Sequence, residues 1–395
     1  QFPHEILEHA PYDGVLISRA MVGEPSHPGK YGEALSMRFR RIGAREHLRL
    51  TKPEHLDMPI FGDNGAFSYV NLPEPPYSAA DTVEFYGNGQ FTHGCSVDHI
   101  VFEFDPTVKG LSGGSSESKK RFEITLSLAS EFMQESKQLG KGFTPLGVIQ
   151  GWSPESLASA ATSLLKMGYR YLAVGGLVPL SSKETHMAVS AIQSAISKWP
   201  DAKLHLLGFA KADTLHEFTK YDRIASFDTT SPLLRAFKDS NRNYYLSNGN
   251  GGIEYYTAIR IPQAIINNKL KAHAKSGFYK QEQLLQMESN ALSALRKYEK
   301  YEIPIETALD AVMLYSEPLQ KTALSNDLTI SKAINKLRVN YERTLLARPW
   351  ENCDCELCRK IGIESLIFRG SNRNKRRGIH NLAVYHKHLQ RVLKK

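Results

Sequence analysis

The segment RIASFDT, residues 223–229, decides the fold, because a short apolar run ends abruptly at the carboxylate of Asp228. Acidic residues at strand ends supply the chemistry of (β/α) barrels, whose active sites lie at the carboxyl ends of the strands. A second interpretation is that Asp228 caps the helix that begins at Ser231-Pro232, as residues in strand-to-helix turns often do. Both interpretations are open for this residue alone, so the rest of the chain has to decide between them.

The composition is that of a globular protein large enough for one barrel with insertions. The chain has 395 residues, of which 41% are hydrophobic and 23% are charged. Its apolar runs are all shorter than a transmembrane helix requires. The first residues, QFPHEILEH, lack the basic and then apolar pattern of a secretory signal. We therefore expect a cytoplasmic protein.

Alternating strand and helix patterns surround Asp228 and predict a parallel sheet. Seven apolar runs have the character of strands: 14–18, 58–61, 99–104, 144–149, 171–174, 204–207 and 223–228. Helical patterns separate the later runs; one spans 153–167, with a serine cap, a proline in the first turn and a glycine after its end. Because the count approaches eight, we predict an α/β fold of the (β/α)8 TIM-barrel type, in which the eighth strand is not assigned.

The rest of the chain divides into an insertion and a C-terminal region. Residues 240–252 are rich in asparagine and glycine and predict a surface loop. Three later segments carry an apolar stripe at helical spacing: 281–301, 305–315 and 330–346. We predict three parts: a barrel core at 1–239, a loop and helical insertion at 240–349, and a cysteine-containing basic region at 350–395 that completes the barrel.

Positive charge is concentrated near the C-terminus. The net charge is +9, and residues 359–395 contain eleven lysines or arginines and one acidic residue, Glu364. Such a run suits contacts with nucleic-acid phosphates, although a solvated surface is the more common interpretation of a basic run. The candidate phosphate contacts lie in the segment RGSNRNKRRG: Arg373, Lys375, Arg376 and Arg377.

Three of the four cysteines lie close together, at Cys353, Cys355 and Cys358. This spacing is unlike a disulfide framework and is typical of a metal site. With one histidine, the three thiolates would complete a closed, tetrahedral, structural zinc site. Spacing alone leaves the fourth ligand open among three histidines: His380, His386 and His388.

The segment CDCELC, followed by His380-Asn381-Leu382, resembles the zinc site of tRNA-guanine transglycosylases, and this resemblance selects His380 as the fourth Zn²⁺ ligand. Further segments resemble motifs of that family in the same order: DNGAF at 63–67, Val97-Asp98 through Phe104-Asp105, VIQG at 148–151, AVGGL at 173–177, LLGF at 206–209 and Phe227-Asp228. Each motif is short. Their shared order, together with the cysteine cluster, indicates membership of this superfamily.

The resemblance implies a base-exchange reaction. Asp228 matches the family's nucleophile, which attacks the anomeric carbon of a nucleotide, displaces guanine and forms a covalent glycosyl intermediate. Asp63 matches the general acid/base that serves the departing and arriving bases. The implied base-binding residues are Phe67 and Leu207 on the faces of the purine, Asp105 at its ring N–H and amine, Gln150 and the Gly175-Gly176 turn at its oxygen, and Leu177 around its substituent.

Several of these residues also have ordinary structural interpretations when each is taken singly. The pair Gly175-Gly176 suits a tight turn, Phe67 suits a core position, and Asp105 suits a partner for a backbone amide or a cation. Their occurrence at consecutive strand ends favours the functional interpretation, because random core residues need not cluster at one face of a barrel.

Departures from the tRNA enzymes point to DNA. Asn64, Ala66 and Ser68 replace the residues usual in those enzymes, and the helical block at 254–348 is foreign to the bacterial ones. These features resemble the branch that inserts 7-cyano-7-deazaguanine into DNA within phage or bacterial DNA-modification systems, where helper proteins would be partners. The same chemistry on tRNA, or a catalytically inactive nucleic-acid-binding subunit, are the alternatives. The presence of both Asp63 and Asp228 argues against the inactive subunit.

Overall fold

The computed structural model describes residues 1–24, 27–209, 212–248, 252–321 and 327–394. The chain forms two compact units, which we call the sheet unit, Tyr12–Thr229, and the C-terminal unit, Gln1–Pro11 with Thr230–Lys395. The predicted boundaries at 239 and 349 stay predictions. Among the described helices, none has the length and apolar character needed to cross a membrane.

The secondary structure alternates strands and helices up to residue 229 and is mainly helical beyond it. The strands are β1 (Val15–Ser18), β2 (Ile60–Asp63), β3 (His93–Cys95), β4 (Thr144–Ile149), β5 (Tyr171–Val174), β6 (Lys203–Leu206), β7 (Ile224–Phe227), β8 (Tyr244–Ser247), β9 (Ile253–Tyr256), β10 (Ile259–Arg260) and β11 (Ile367–Phe368). The helices are α1 (Pro3–Ile6), α2 (Arg19–Val22), α3 (Glu33–His47), α4 (Ala79–Asn88), α5 (Ser116–Glu135), α6 (Pro154–Met167), α7 (Ser182–Ala195), α8 (Leu215–Phe218), α9 (Ser231–Lys238), α10 (Asn268–Lys275), α11 (Gln281–Glu299), α12 (Ile305–Gln320), α13 (Asp327–Ala347), α14 (Glu356–Ile361) and α15 (Ser371–Leu393).

The sheet unit contains a seven-stranded parallel sheet whose strand order follows the chain from β1 to β7. The ring centroids of Phe61 on β2 and His205 on β6 lie 5.1 Å apart. In a flat sheet, four strand spacings would separate them by about 19 Å, so this sheet must be curled. The α/β fold is thereby confirmed, and among the described residues this sheet has no eighth strand. Its apolar interior consists of Phe61, Cys95, Leu146, Val148, Tyr171 and Ala173.

Helix α6 shows how the sequence sets the boundaries of these elements. The Ser153 side chain caps the helix by accepting a hydrogen bond from the Ser156 amide at 3.1 Å. Pro154 occupies the first turn, and Gly168 ends the helix at a φ of +110°, which glycine adopts with little strain. The helix predicted over 153–167 is therefore confirmed.

The third strand is not where the sequence predicts it. Residues 99–104 form no strand, and β3 at His93–Cys95 pairs with β2 and β4 instead. The backbone amides of the predicted strand bind side chains: His99 N–H donates to Thr125 Oγ1 at 3.0 Å, and Val101 N–H donates to Gln150 Oε1 at 3.2 Å. Because side chains occupy these two amides, the amides are not available to a strand ladder.

The C-terminal unit has its own core. Helices α11, α12 and α13 confirm the three predicted helical segments, and they contribute buried side chains such as Leu295, Val312 and Tyr341. Strands β8 and β9 form an antiparallel pair, and β10 and β11 a parallel one. The loop predicted at 240–252 is wrong in part, because Tyr244 and Tyr245 are buried in β8. Residues 249–251 of that loop lie outside the described residues.

Candidate active site and metal centre

Strand β2 ends at Asp63, and the following turn fixes its carboxyl group. Gly65 N–H donates to Asp63 Oδ2 at 2.9 Å. Gly65 has a φ of +77°, and a Cβ there would lie 2.3 Å from Ser18 Oγ, so the turn requires glycine. Burial raises the pKa of Asp63 from its ordinary 3.8 to about 7, and repulsion from Asp98 and Asp228 adds to the rise. Near neutral pH, Asp63 can therefore both donate and accept a proton.

Asn64 links this turn to the next strand. Its buried amide nitrogen donates to the carbonyl oxygens of Cys95 at 3.2 Å and Ser96 at 3.3 Å. Its Oδ1 accepts a hydrogen bond from Thr82 Oγ1 at 3.3 Å. Asn64 is one of the departures from the tRNA enzymes, and in this structure it holds the Asp63 turn against β3.

Asp98 is a carboxyl group to which the sequence interpretation gave no role. Its side chain is 3% exposed, and Gln150 Nε2 donates to its Oδ2 at 2.7 Å. Burial raises the pKa of Asp98 to about 6, although the hydrogen bond from Gln150 opposes the rise. Because Gln150 Oε1 accepts from Val101 N–H, the amide is fixed in one orientation.

The turn after β5 packs closely on Gln150. A Cβ on Gly175 would lie 2.3 Å from Gln150 Nε2, and a Cβ on Gly176 would lie 3.2 Å from Val101 O. Gly176 also has a φ of +72°. Leu177 follows in a buried position. The structure thus brings four predicted residues, Gln150, Gly175, Gly176 and Leu177, to one place, with Asp98 hydrogen-bonded to the first of them.

Asp105 does not join this group. Its carboxylate is exposed, and Oδ1 accepts hydrogen bonds from the Thr107 amide at 2.8 Å and hydroxyl at 2.7 Å. These bonds lower the pKa of Asp105. The prediction that Asp105 contacts the purine has no support in this geometry. That prediction rests on the resemblance of residues 97–105 to a family motif and stays a prediction. Because β3 ends at Cys95, Asp98 is the nearer of the two acidic residues to the strand end.

Strand β7 leads directly into Asp228. Its Oδ1 accepts a hydrogen bond from Gly208 N–H at 2.8 Å and lies 3.4 Å from His205 Nε2. The cap interpretation does not hold, because helix α9 has Thr230 at its N-cap and no side-chain capping bond. The side chain of Asp228 is 25% exposed, and its charge contributes to the raised pKa of Asp63. The Asp228 carboxylate is therefore close enough to Asp63 to influence its ionisation.

Two exposed aromatic rings follow β2 and β3. Phe67 is 55% exposed and Phe102 is 46% exposed, and their ring centroids lie 5.7 Å apart. Leu207 is partly buried and packs on the apolar interior of the sheet. The sequence interpretation included Phe67 and Leu207 but missed Phe102, which it placed inside a strand.

The cysteine cluster forms a candidate metal centre in the C-terminal unit. Cys353, Cys355, Cys358 and His380 each present one donor atom, and these four atoms lie within 4.8 Å of one another. His380 Nδ1 is 3.3 Å from the sulfurs of Cys355 and Cys358 and 3.8 Å from that of Cys353. Three sulfurs and one ring nitrogen at such separations suit a tetrahedral ion.

His380 is oriented by its surroundings. Its Nε2 lies 2.8 Å from the carbonyl oxygen of Tyr245. Since Nε2 donates to that carbonyl, Nδ1 presents a lone pair to the sulfurs, as a metal ligand must. The ring also stacks on Tyr244, with centroids 4.1 Å apart. The structure thus places His380, rather than His386 or His388, at the cluster.

The comparison with curated proteins finds a DNA-guanine transglycosylase of Salmonella montevideo that is 38% identical over 394 residues. The alignment covers 99% of this chain and 89% of the relative. The chain belongs to the DNA-guanine transglycosylase family. The resemblance drawn from the sequence is confirmed, both for the wider tRNA-guanine transglycosylase superfamily and for its DNA-modifying branch. No protein-family model matches the chain.

In this DNA-guanine transglycosylase family member, one arginine of the basic cluster is a core residue. Arg377 is fully buried. Its guanidinium donates to the carbonyl oxygens of Ala236 at 2.5 Å and Ile367 at 3.3 Å, and it lies over the Phe368 ring. The prediction that Arg377 contacts phosphate is therefore wrong, because its charge already serves buried carbonyl groups.

The other three basic residues remain closer to solvent. Arg373 is partly exposed and forms an ion pair with Glu364, while Lys375 and Arg376 are exposed. On the first turns of α15, the DNA-guanine transglycosylase family member therefore presents two exposed cations and one that is already paired.

Proposed function

We propose that this protein replaces guanine in DNA with 7-cyano-7-deazaguanine through a covalent aspartyl-glycosyl intermediate. One observation carries the proposal: Asp63 and Asp228 lie at two strand ends of one curled sheet, and burial, with added repulsion from Asp98 and Asp228, raises the pKa of Asp63 to about 7. One carboxylate beside a second group that is half protonated at neutral pH is the pair that double displacement at a sugar carbon requires. The relative's name specifies guanine and DNA.

In the first half-reaction, Asp228 Oδ2 attacks C1′ of the target nucleotide. The bond from C1′ to guanine N9 breaks, and its electron pair leaves with the base. Asp63, in its protonated form, donates a proton to the departing guanine and becomes a carboxylate. Gly208 N–H stays on Asp228 Oδ1, at 2.8 Å in this structure, and orients the attacking oxygen.

In the second half-reaction, the incoming base replaces guanine in the same space. Asp63, now a carboxylate, accepts the N9 proton of 7-cyano-7-deazaguanine, and N9 attacks C1′. The bond from C1′ to Asp228 breaks, which restores the carboxylate. Two displacements at one carbon retain its configuration, so the new base occupies the position that guanine left.

We assign recognition of the base to Asp98 rather than Asp105. Asp98 is buried and fixed by Gln150, and a carboxylate can accept the two N–H groups on one edge of a guanine-like ring. The Gly175-Gly176 turn, with its backbone close to Gln150, would address the oxygen of the base, and Leu177 would line the substituent pocket. Phe67 and Leu207 would cover the two faces of the ring.

The metal centre would hold a structural Zn²⁺ ion. Cys353, Cys355, Cys358 and His380 provide four ligands, which leaves no position for a substrate or a reactive water. Zinc bound in this way would stabilise the fold and would take no direct part in the base-exchange chemistry.

Access to DNA follows from the chemistry. C1′ of a paired nucleotide is shielded inside a duplex, so the target nucleotide must be flipped out or already single-stranded. Lys375 and Arg376 are the exposed cations that would hold phosphates. The eight-stranded barrel and the helper proteins of a DNA-modification system remain predictions.

Incubation of the protein with DNA or tRNA and radiolabelled 7-cyano-7-deazaguanine tests the proposal. We expect label in DNA and none in tRNA. Label in tRNA alone would overturn the choice of DNA, and label in neither, by a folded protein, would favour an inactive nucleic-acid-binding subunit.

A further inference from the structure

A buried histidine faces the carboxylate of Asp228, and the reaction described above gives it no role. His205 lies on β6 and is 3% exposed. Its Nε2 is 3.4 Å from Asp228 Oδ1, and its Nδ1 is 2.5 Å from Ser226 Oγ. Ser226 Oγ lies 2.6 Å from the hydroxyl of Tyr171. Three polar side chains therefore form a line across β5, β7 and β6 that ends at Asp228.

This line of hydrogen bonds determines which ring nitrogen carries the proton. When Tyr171 donates to Ser226 and Ser226 donates to His205 Nδ1, the ring proton lies on Nε2. Nε2–H then lies beside the carboxylate, with Nε2 3.4 Å from Asp228 Oδ1 and no well-aligned hydrogen bond in this structure. Such contacts tighten when the substrate complex forms. The opposite order would aim a nitrogen lone pair at an anionic oxygen, which is unfavourable. The hydroxyl pair thus favours the tautomer that Asp228 needs.

Ring contacts hold His205 in place. Its ring stacks on Phe61 at an interplanar angle of 24°, and Phe61 stacks on His93 with centroids 4.3 Å apart. Because the imidazole is buried and packed face to face, it can neither swing away from Asp228 nor exchange its partners for water.

We propose that His205 is a positioning residue for the nucleophile. Together with Gly208 N–H, it holds Asp228 Oδ1 and leaves Oδ2 directed at the anomeric carbon. This inference rests on the proposed function, since it requires Asp228 to be the nucleophile. The Gly208 hydrogen bond and the nearby His205 N–H would both stabilise the carboxylate when it leaves C1′ in the second half-reaction.

The test compares three variants in single-turnover formation of the covalent protein–DNA adduct. His205→Phe keeps the ring stacking and removes the donor, and should slow adduct formation by roughly 10- to 100-fold, the range for a lost hydrogen bond to a charged group. His205→Gln places an amide N–H near the Nε2 position and should recover much of the rate. Ser226→Ala removes the hydroxyl that donates to His205 Nδ1, so the ring proton is no longer held on Nε2, and the rate of adduct formation should fall by less than in His205→Phe. Affinity for DNA and the melting temperature should change little in all three.

Two results would overturn the inference. One is a His205→Phe protein that forms the adduct at the wild-type rate. The other is a loss of rate that follows the melting temperature, with no recovery in His205→Gln, since that pattern indicates a packing role only. The wild-type protein and Asp228→Asn are run beside them. If the wild type forms no adduct that depends on Asp228, the proposed function itself fails, whereas an intact wild-type adduct with an unaffected His205→Phe rejects the positioning role alone.

Discussion

Gln150 Nε2 donates a hydrogen bond to Asp98 Oδ2 at 2.7 Å, and both side chains are buried. The bond opposes the rise that burial causes in the pKa of Asp98, which is about 6. At neutral pH, Asp98 is therefore mostly a carboxylate with one oxygen already occupied by Gln150. The other oxygen is available to a base that carries N–H groups. Asp105 is exposed instead, so substitutions at Asp98 and Asp105 can be compared directly.

Asp98→Asn should raise the KM for the incoming base, whereas Asp105→Asn should leave it unchanged. Loss of hydrogen bonds to a charged acceptor costs about 1.5–3 kcal/mol, so we expect the KM for the incoming base to rise by roughly 10- to 100-fold. Steady-state exchange of labelled base provides the comparison, and the melting temperatures of both variants are measured to show that their folds are equally stable. The larger effect in Asp105→Asn would return the recognition role to that residue.

The pH dependence of adduct formation should reveal Asp63. Its protonated form is the acid in the first half-reaction, and its pKa is about 7. Under single turnover, the rate should fall about tenfold per pH unit well above pH 7. Asp63→Asn should be slow and lack this ionisation. A wild-type rate that stays flat from pH 6 to pH 9 would contradict the assignment.

The same carboxyl group should influence stability. The folded pKa of Asp63 is raised, from 3.8 to about 7, so the folded state retains a proton that the unfolded chain has lost in this range. Stability should therefore fall as pH rises from about 4 to about 7, by up to about 4 kcal/mol. Denaturant unfolding of wild type and Asp63→Asn should show that the substitution removes most of this slope; equal slopes would exclude Asp63 as its source.

Metal content should be one zinc per chain and should depend on the cluster. Cys355→Ser should lose tight zinc, and the C-terminal unit should unfold first, because binding of structural zinc contributes on the order of 10 kcal/mol. Cys95→Ala is the matched control, since Cys95 is buried in the sheet unit. Elemental analysis after chelator dialysis makes the comparison, and full zinc in Cys355→Ser would refute the ligand set.

The basic residues of α15 should differ in what they do: Lys375 and Arg376 should affect DNA binding, and Arg377 should affect stability. Replacing Lys375 and Arg376 by alanine should weaken binding on all DNA sequences about equally. The slope of log affinity against log salt concentration should become shallower by roughly 1.4–1.8, since each lost phosphate contact removes about 0.7–0.9. Arg377→Met should instead lower the melting temperature, because it leaves buried carbonyl groups without donors. Binding titrations at several salt concentrations test both. Unchanged affinity in the double variant would indicate that these two cations are only a solvated surface.

Local signals made part of this fold predictable. Ser153, Pro154 and Gly168 mark both ends of α6, because each acts on its own turn of backbone. The cysteine spacing likewise indicates a metal cluster, since its three sulfurs come from one short segment. Asp228 could be found because it directly follows an apolar run, and Asp63 because DNGAF at 63–67 resembles a family motif.

Other features depend on partners distant in the sequence. The run at 99–104 has the composition of a strand, yet Thr125 and Gln150 accept hydrogen bonds from two of its amides. No local sequence pattern would have excluded a strand there. Arg377 lies in a run that looks solvated, and only the fold shows the carbonyl groups that it meets. The contact of His205 with Asp228 requires the register of β6 against β7, which includes an irregularity after Leu204.

The most direct test of the account is whether Asp228 forms a covalent bond with DNA. Wild-type protein and Asp228→Asn are incubated with labelled DNA, quenched in denaturant and separated on a denaturing gel, and the labelled peptide is then sequenced by mass spectrometry. We predict a protein–DNA adduct attached at Asp228 in the wild type. The variant, with an intact fold and unchanged DNA affinity, should form none and should exchange bases at least about 10³-fold more slowly. An adduct on another residue, or near wild-type exchange by Asp228→Asn, would contradict the account.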